Sequence, residues 1–322
     1  MTLKAIILAA GKGSRMKSDT LKVLHDVAGK AVLEHVVDTV LSSHVNEIFV
    51  VVGHQAELVK KRIQNPKIQF VHQEEQLGTG HAVMQVAPYL DTNKDETLVI
   101  LAGDCPLIEL ETLQNLLNIH LESNAEASIL STEMQDPGSY GRILRGKMGT
   151  VIGIKEAKDC TEEELRITEI NTGIYAFQKR ALCDALKLIT TNNNQHEYYL
   201  TDAIHILKEK GSVVEAYCAE DSDQAIGINT RMDLAKINQI IYQKNNSRLM
   251  QEGVTIIDPA STFIDSTVSV GQDTIIHPFT TLTGKTTIET GGKIGPYTYI
   301  KDSFLSVGSV VEPFSKLINH HV

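Results

Sequence analysis

Four cysteines in 322 residues, at positions 105, 160, 183 and 218, are too few for a disulfide framework. None falls in a C-x-x-C pair that would suit a thiolate zinc site. Such sparse usage fits a reducing cytoplasm. No apolar run approaches the roughly 18 residues of a membrane span. The apolar stretch at residues 5–10 is shorter than a signal h-region and is followed at once by Lys12, Arg15 and Lys17, so it reads as a buried strand. A cationic excess is missing too. With 30 Lys plus Arg against 40 Asp plus Glu, the formal charge is −10, which removes any global attraction to nucleic acid or an anionic membrane. The 12 histidines include no H-E-x-x-H pair and no G-x-S-x-G is present, so zinc-hydrolase and serine-hydrolase readings have no footing. What remains is an ordinary globular composition, 42% hydrophobic and 22% charged, in a chain long enough for two domains.

The first 250 residues alternate apolar runs with amphipathic stretches. Residues 4–10, 47–52, 68–71 and 97–102 read as strands, and 31–43, 56–63 and 79–87 as helices. The runs at 5–10 and 98–102 are apolar throughout, the pattern of strands buried on both faces of a helix-covered parallel sheet. This alternation predicts an α/β layered fold. Further strands are expected at 127–132, 151–155, 173–177 and 213–217. Further helices are expected at 110–122, 199–210 and 232–250, the last polar enough to serve as a connector.

Composition changes after about residue 250. Residues 251–322 carry only 11 charged side chains in 72 positions, and helix signals vanish. Ile264, Val270, Ile276, Leu282, Ile288, Ile294 and Ile300 recur at a strict spacing of six. The phase then slips by one residue and resumes at Leu305, Val311 and Leu317. Ordinary hairpins would show a period of two with turn pairs every 8–12 residues. A period of six predicts a parallel β-helix of about three coils, its short strands stacking the aliphatics into an interior column. The expected division is an α/β domain over 1–230, a linker helix over 231–250 and a short β-helix over 251–322.

Three segments carry candidate chemistry. The first strand runs into Gly11-Lys12-Gly13-Ser14-Arg15-Met16, where glycines free backbone N–H groups to face an anion. The third glycine of a dinucleotide fingerprint is replaced by Met16, and no Walker A spacing follows. Lys12, Arg15, Lys17 and Lys22 instead cluster near the turn, enough charge to neutralise a triphosphate. The plainer alternative is a solvated basic loop. The second segment ends a buried strand in Ala102-Gly103-Asp104, where α/β folds place their ligands. One carboxylate and one distant oxygen, such as Asn229, suffice for Mg²⁺, which leaves most of its shell to water and phosphate. From position alone, Asp104 is equally a helix cap or turn carboxylate. The third is Gln73-Glu74-Glu75-Gln76-Leu77-Gly78-Thr79-Gly80-His81, where Thr79 is expected to cap a helix and amide side chains beside bare glycine backbone suit a base edge. His81 reads as a helix-surface or packing residue.

The fragments LAAGKGSRMKSDTLKVLHDVAGK, EEQLGTGHA, LAGDCPLI, YGRIL, EINTGIYAF, NNNQHEYYLTDAI and GINTR follow one another in this order. Together they resemble the bacterial N-acetylglucosamine-1-phosphate uridyltransferases, the pyrophosphorylase half of a bifunctional family. The other half of that family is a glucosamine-1-phosphate acetyltransferase in a longer left-handed β-helix. The tail separately resembles the left-handed β-helix of hexapeptide acyltransferases, which are typically trimers. The resemblance implies a Rossmann-like, mostly parallel nucleotidyltransferase domain followed by a short left-handed β-helix, in a cytoplasmic homotrimer.

Carried over position by position, the resemblance implies that Leu8, Ala9, Ala10, Gly11, Gln73, Gly78 and Thr79 hold UTP, with Gln73 and Gly78 on uracil. Arg15 and Lys22 would meet the phosphates, and Ala102, Gly103 and Asp104 would line the site. Asp104 and Asn229 would hold Mg²⁺, while Gly141, Glu156 and Asn171 would grip N-acetylglucosamine 1-phosphate. The family often carries Tyr two residues before the metal aspartate, where this chain has Ala102. Its acetyltransferase residues lie in later coils than this sequence contains, so acetyl transfer is expected to be absent. The expected reaction is in-line attack of the sugar phosphate on the α-phosphorus of UTP, with no covalent enzyme intermediate. The rivals are a transferase for glucose 1-phosphate or dTTP, a hexapeptide acetyltransferase, and a regulatory nucleotide-binding subunit.

Overall fold

A computed structural model describes residues 2–90 and 96–321. Strands β1 (Thr2–Ala9), β2 (Asp26–Val27), β3 (Lys30–Ala31), β4 (Glu47–Val52), β5 (Ile68–His72), β6 (Glu96–Ala102), β7 (Ala127–Glu133), β8 (Arg142–Arg145), β9 (Val151–Lys155), β10 (Glu169–Gln178) and β11 (Val214–Ala219) precede the repeats. Helices are α1 (Val32–Ser42), α2 (Ala56–Arg62), α3 (Thr79–Met84), α4 (Leu110–Glu122), α5 (Lys179–Leu186), α6 (Thr201–Glu209) and α7 (Arg231–Gln251). The chain forms two compact units, Met1–Leu24 with Val32–Asn229, and His25–Ala31 with Thr230–Val322.

The first unit is a nine-stranded sheet in the order β11-β7-β10-β6-β1-β4-β5, with β8 and β9 attached beside β10. Ala5, Ile6 and Ile7 of β1 are fully buried, because successive side chains enter opposite cores. Ile6 packs with Val83 of α3, Leu182 of α5 and Ile204 of α6. Ala5 and Ile7 pack with Val36 of α1, Val59 of α2 and Leu113 of α4. Both faces are therefore covered, as the unbroken apolar runs require. Each such aliphatic contributes about 1.5–3 kcal/mol through burial.

Strands β6, β1, β4 and β5 are mutually parallel, and so are β7 and β11. The sheet is mostly parallel, as expected; the exception is β10, which runs antiparallel to β6, β7 and β8. A central strand is hidden on both faces whatever its direction, so its apolar run carries no directional signal. The short strand β8 and helix α5 were likewise not anticipated. Chain order puts the topological switch at β1. The chain leaves one side of β1 for β4 and β5, then returns to its other side as β6. In open α/β sheets a ligand crevice lies beyond the carboxyl ends of strands at such a point.

In the second unit, Thr230 and Asp233 form a reciprocal capping box that starts α7. The tail is a left-handed parallel β-helix, its strands stacked into three all-parallel sheets of four, four and three strands. Ile264, Ile276, Leu282, Ile288, Ile294, Ile300 and Leu305 are at most 1% exposed, and Val270 and Leu317 pack against them. The register pairs Leu282 with Ile300 and Ile300 with Leu317, so the slipped phase is one shortened coil that leaves the column intact. Thr274, Thr280, Thr286 and Thr298 precede column residues by two and are also buried. Three of their hydroxyls donate to backbone carbonyls, Thr274 to Glu289 (3.2 Å), Thr280 to His277 (2.8 Å) and Thr286 to Thr283 (2.7 Å). The abundance of Thr in the tail thus has a structural cause.

The hairpin β2–β3 belongs to this second unit. Its turn, Ala28-Gly29, has positive φ at both residues (43° and 86°), the conformation a tight two-residue hairpin needs. Ala28 donates its N–H to Asn238 Oδ1 (2.9 Å), and Ser266 donates its N–H (2.9 Å) and hydroxyl (3.0 Å) to Ala28 O. A Cβ on Gly29 would lie 2.7 Å from Asp265 Cβ, so only glycine fits there. No helix among the described residues is long and apolar enough to cross a membrane.

Candidate active site

The carboxyl ends of β1 and β6 meet in register, Leu8 opposite Ala102, and Gly103 donates its N–H to Leu8 O (2.9 Å). A Cβ on Gly103 would sit 3.0 Å from that oxygen, so the closeness of the two strand ends favours glycine. Beyond Ala9, the last residue of β1, the chain passes Ala10 and an open Gly11, then turns at Gly13 (φ 62°) into a short 3-10 turn, Ser14–Met16. Met16 is buried and anchors the turn, while Arg15 projects outward.

Four of the residues singled out in the sequence converge here from three separate segments. Lys22 Nζ forms an ion pair with Asp104 Oδ2 and lies 3.2 Å from Asn229 Oδ1. Arg15 donates from its guanidinium to the same Asn229 oxygen at 2.9 Å. The Lys22 and Asp104 side chains are 14% and 18% exposed, partly screened from water yet reachable. Asn229 is brought in by an extended segment whose Ile228 N–H donates to Asp104 O (2.9 Å). Gly227 leaves room beside the carboxylate, for a Cβ there would lie 3.6 Å from Asp104 Cγ.

A single ammonium bridging Asp104 and Asn229 shows that the two oxygens point at one common position. An all-oxygen pair of one carboxylate and one amide fits Mg²⁺, whose remaining positions go to water and phosphate. Among the described residues no group of three His, Cys, Asp or Glu is placed to hold a metal without such help. Cys105 had no assigned role. Its thiol donates to Asp104 Oδ1 at 3.6 Å, and burial holds it well above the usual thiol range.

The base-side segment follows β5. Gln73 continues the sheet through its N–H to Val52 O (2.8 Å). Its side chain is turned inward onto Gly78 O (3.2 Å) and His81 Nδ1 (3.1 Å). Thr79 does not cap α3 as expected. Gly78, at φ 110°, occupies the cap position, and the Thr79 hydroxyl accepts from Leu200 N–H (3.1 Å). Gly78 must be glycine, because a Cβ would fall 2.5 Å from Tyr198 O. Gly80 donates to that same carbonyl at 2.8 Å. The QLGTGHA and EYYLTD motifs are therefore two halves of one junction.

The third group gathers around β10. Gly173 (φ 78°) lies in a register shift between Asn171 and Ile174, a bulge that re-aims Asn171. Asn171 donates its N–H to Gly141 O (2.8 Å) and its side-chain N–H to Tyr175 OH (2.7 Å). Glu156 accepts from the Thr201 hydroxyl at 3.1 Å, and burial raises its carboxyl above the usual range. Tyr140, absent from the sequence-derived set, joins this group to the metal side. Its hydroxyl donates to Ala225 O and accepts from Gly227 N–H, both at 3.3 Å. The sequence signal for it was its place in the fragment YGRIL.

A glycine turn after the first strand, cations that converge beside it and a carboxylate at the topological switch fit a nucleotide-transferring α/β enzyme. Residues 4–246 match the family model described as nucleotidyl transferase. The chain belongs to that family and, within it, to the group whose curated members are named bifunctional protein GlmU. It is 45% identical to the GlmU of Syntrophomonas wolfei, covering 100% of this chain and 71% of the relative. It is 48% identical to that of Enterococcus faecalis (96% and 67%), and 47% to that of a Geobacillus species (95% and 66%). The chain thus spans about two thirds of the length of these relatives.

Proposed function

We propose that this protein transfers UMP from UTP to N-acetylglucosamine 1-phosphate, giving UDP-N-acetylglucosamine and pyrophosphate. The observation that carries this reading is the convergence of Arg15 and Lys22 on Asp104 and Asn229 at the switch between β1 and β6. An oxygen of the sugar phosphate attacks the α-phosphorus of UTP, and the bond to the β-phosphate oxygen breaks with pyrophosphate leaving in line. Lys22 exchanges its carboxylate partner for a phosphate, while Arg15 steadies the charge that shifts to the leaving group. Leu8, Ala9, Ala10 and Gly11 line the nucleotide side, and Gln73, Gly78 and Thr79 the base side. Ala102 and Gly103 line the floor, and Gly141, Glu156 and Asn171 orient the sugar. Asp104 and Asn229 would hold Mg²⁺, which when bound draws the phosphates together and screens their charge. The four free cysteines suit work in a reducing cytoplasm.

The test is pyrophosphate release from UTP, CTP and dTTP with a panel of sugar 1-phosphates, with and without Mg²⁺. The expected best pair is UTP with N-acetylglucosamine 1-phosphate. A clear preference for glucose 1-phosphate or dTTP would move the protein to another sugar nucleotidyltransferase.

The same reading makes the protein a homotrimer. The β-helix exposes Phe263 and Ile318 on one of its three sheets, 44% and 46% accessible, on a tail poor in charge. Burying one prism face around a threefold axis covers such surface and closes the assembly without filaments. Light scattering should give about 106 kDa, three chains of 35.4 kDa. A monomer at micromolar concentration would defeat the assembly while leaving the chemistry untouched.

A further inference from the structure

The base-side loop holds one amide in a single orientation. Gln73 is 3% exposed, and its Nε2 lies 3.2 Å from Gly78 O and 3.1 Å from His81 Nδ1. A backbone carbonyl only accepts, so the atom facing Gly78 is the amide nitrogen. Its second N–H then points at His81 Nδ1, which can accept only when the ring proton sits on Nε2.

The opposite edge of the ring sets up a conflict. Gln85 Nε2 lies 3.1 Å from His81 Nε2 and 3.2 Å from His81 O. A neutral imidazole cannot accept on both nitrogens, so one of the two glutamines must turn its amide. Gln85 is only half-buried and can turn, offering its oxygen to Nε2–H while water takes over the lost bond. Turning Gln73 would set its Oε1 against Gly78 O in a buried place, at the cost of an unmade hydrogen bond. Tyr198 stacks on the imidazole, with ring centroids 6.1 Å apart and planes 30° from parallel, which fixes the ring plane. The outcome is that Gln73 Oε1 accepts no hydrogen bond from any described residue.

We propose that His81 is a positioning residue for base specificity: by taking the second N–H of Gln73 it reinforces the orientation that Gly78 O sets, so that the site presents a bare acceptor and selects uracil over cytosine. Uracil carries N3–H, a donor that meets Gln73 Oε1. Cytosine carries an unprotonated N3, which would face that oxygen lone pair to lone pair. An amide free to flip reads either base, whereas a locked one reads only uracil. The lock rests on the reading that Gln73 faces the base.

His81→Phe keeps a ring against Tyr198 but removes the acceptor. The ratio of kcat/KM for UTP over CTP should fall severalfold, chiefly because CTP improves, with Gly78 O alone left to oppose the turned amide. His81→Asn, whose Oδ1 can take the place of Nδ1, should restore most of the discrimination. In the wild-type protein, nitrogen-15 NMR should show the His81 ring protonated on Nε2 alone, and a ring protonated on Nδ1 would overturn the lock without any variant. A preference for UTP that survives unchanged in folded His81→Phe overturns it as well. A wild-type enzyme indifferent to the base overturns the uracil reading itself.

Discussion

Asp104→Asn is expected to lower kcat/KM by about a thousandfold while leaving the melting transition nearly unchanged. The carboxylate stands at the end of β6, paired to Lys22 and opposite Asn229. The amide keeps the shape and one oxygen but removes the only formal negative charge that the described residues aim at the shared position. Loss of a single preorganised electrostatic group in a transfer site costs about 2.7–4 kcal/mol, which converts to two to three powers of ten in rate. A Mg²⁺ titration separates the causes. If the carboxylate serves the metal, the variant needs far more Mg²⁺ for its residual rate. Turnover like that of the wild type at low Mg²⁺ would remove Asp104 from the metal site.

Lys22→Ala should cost nearly as much, about 3–4 kcal/mol, and mostly in kcat. Lys22 is held on a short 3-10 turn, with its Cβ so near Gly13 that a side chain at position 13 would come within 2.6 Å. The backbone thus fixes where the ammonium can reach. In the free enzyme it neutralises Asp104. In the proposed transfer it releases the carboxylate and follows the phosphate charge, and alanine could do neither. Arg15→Ala should act in the same direction, since its guanidinium shares the Asn229 oxygen. Steady-state kinetics with both substrates varied would check each. Unchanged kcat and kcat/KM would reduce the residue to surface charge.

Much of this was legible in the residues because burial leaves a periodic trace. β1 and β6 are covered on both faces, and their runs at 5–10 and 98–102 are accordingly unbroken. The β-helix wrote its coil into a spacing of six, and even the shortened coil appeared as a phase slip before Leu305. The glycine turn, Lys22, Asp104 and Asn229 were legible as chemistry, although their meeting depends on three segments packing together. Other features left no trace. The direction of β10 is silent in its composition, since an antiparallel central strand is as apolar as a parallel one. Thr79 preceded a helix like a cap, but the positive φ of Gly78 and the pull of Leu200 N–H gave its hydroxyl another partner. Cys105 and Tyr140 stand in the fragments LAGDCPLI and YGRIL, but nothing in those fragments shows that they bond to Asp104 and Gly227. The return of His25–Ala31 to the second unit depends on contacts with Asn238, Asp265 and Ser266, more than 200 positions away.

That hairpin imposes an order on folding in time. Ala28 is separated from Asn238 by 210 positions and from Ser266 by 238. At synthesis rates of about 5–20 residues per second, the hairpin leaves the ribosome roughly 10–50 s before both partners exist. Over that interval the nascent N-terminal sheet can close its two cores, since their strands and helices all precede Asn229. The left-handed turn at Ala28 meanwhile has nothing to brace it. The loop that follows Lys22 is therefore finished last, when the first coil of the β-helix emerges and clasps it.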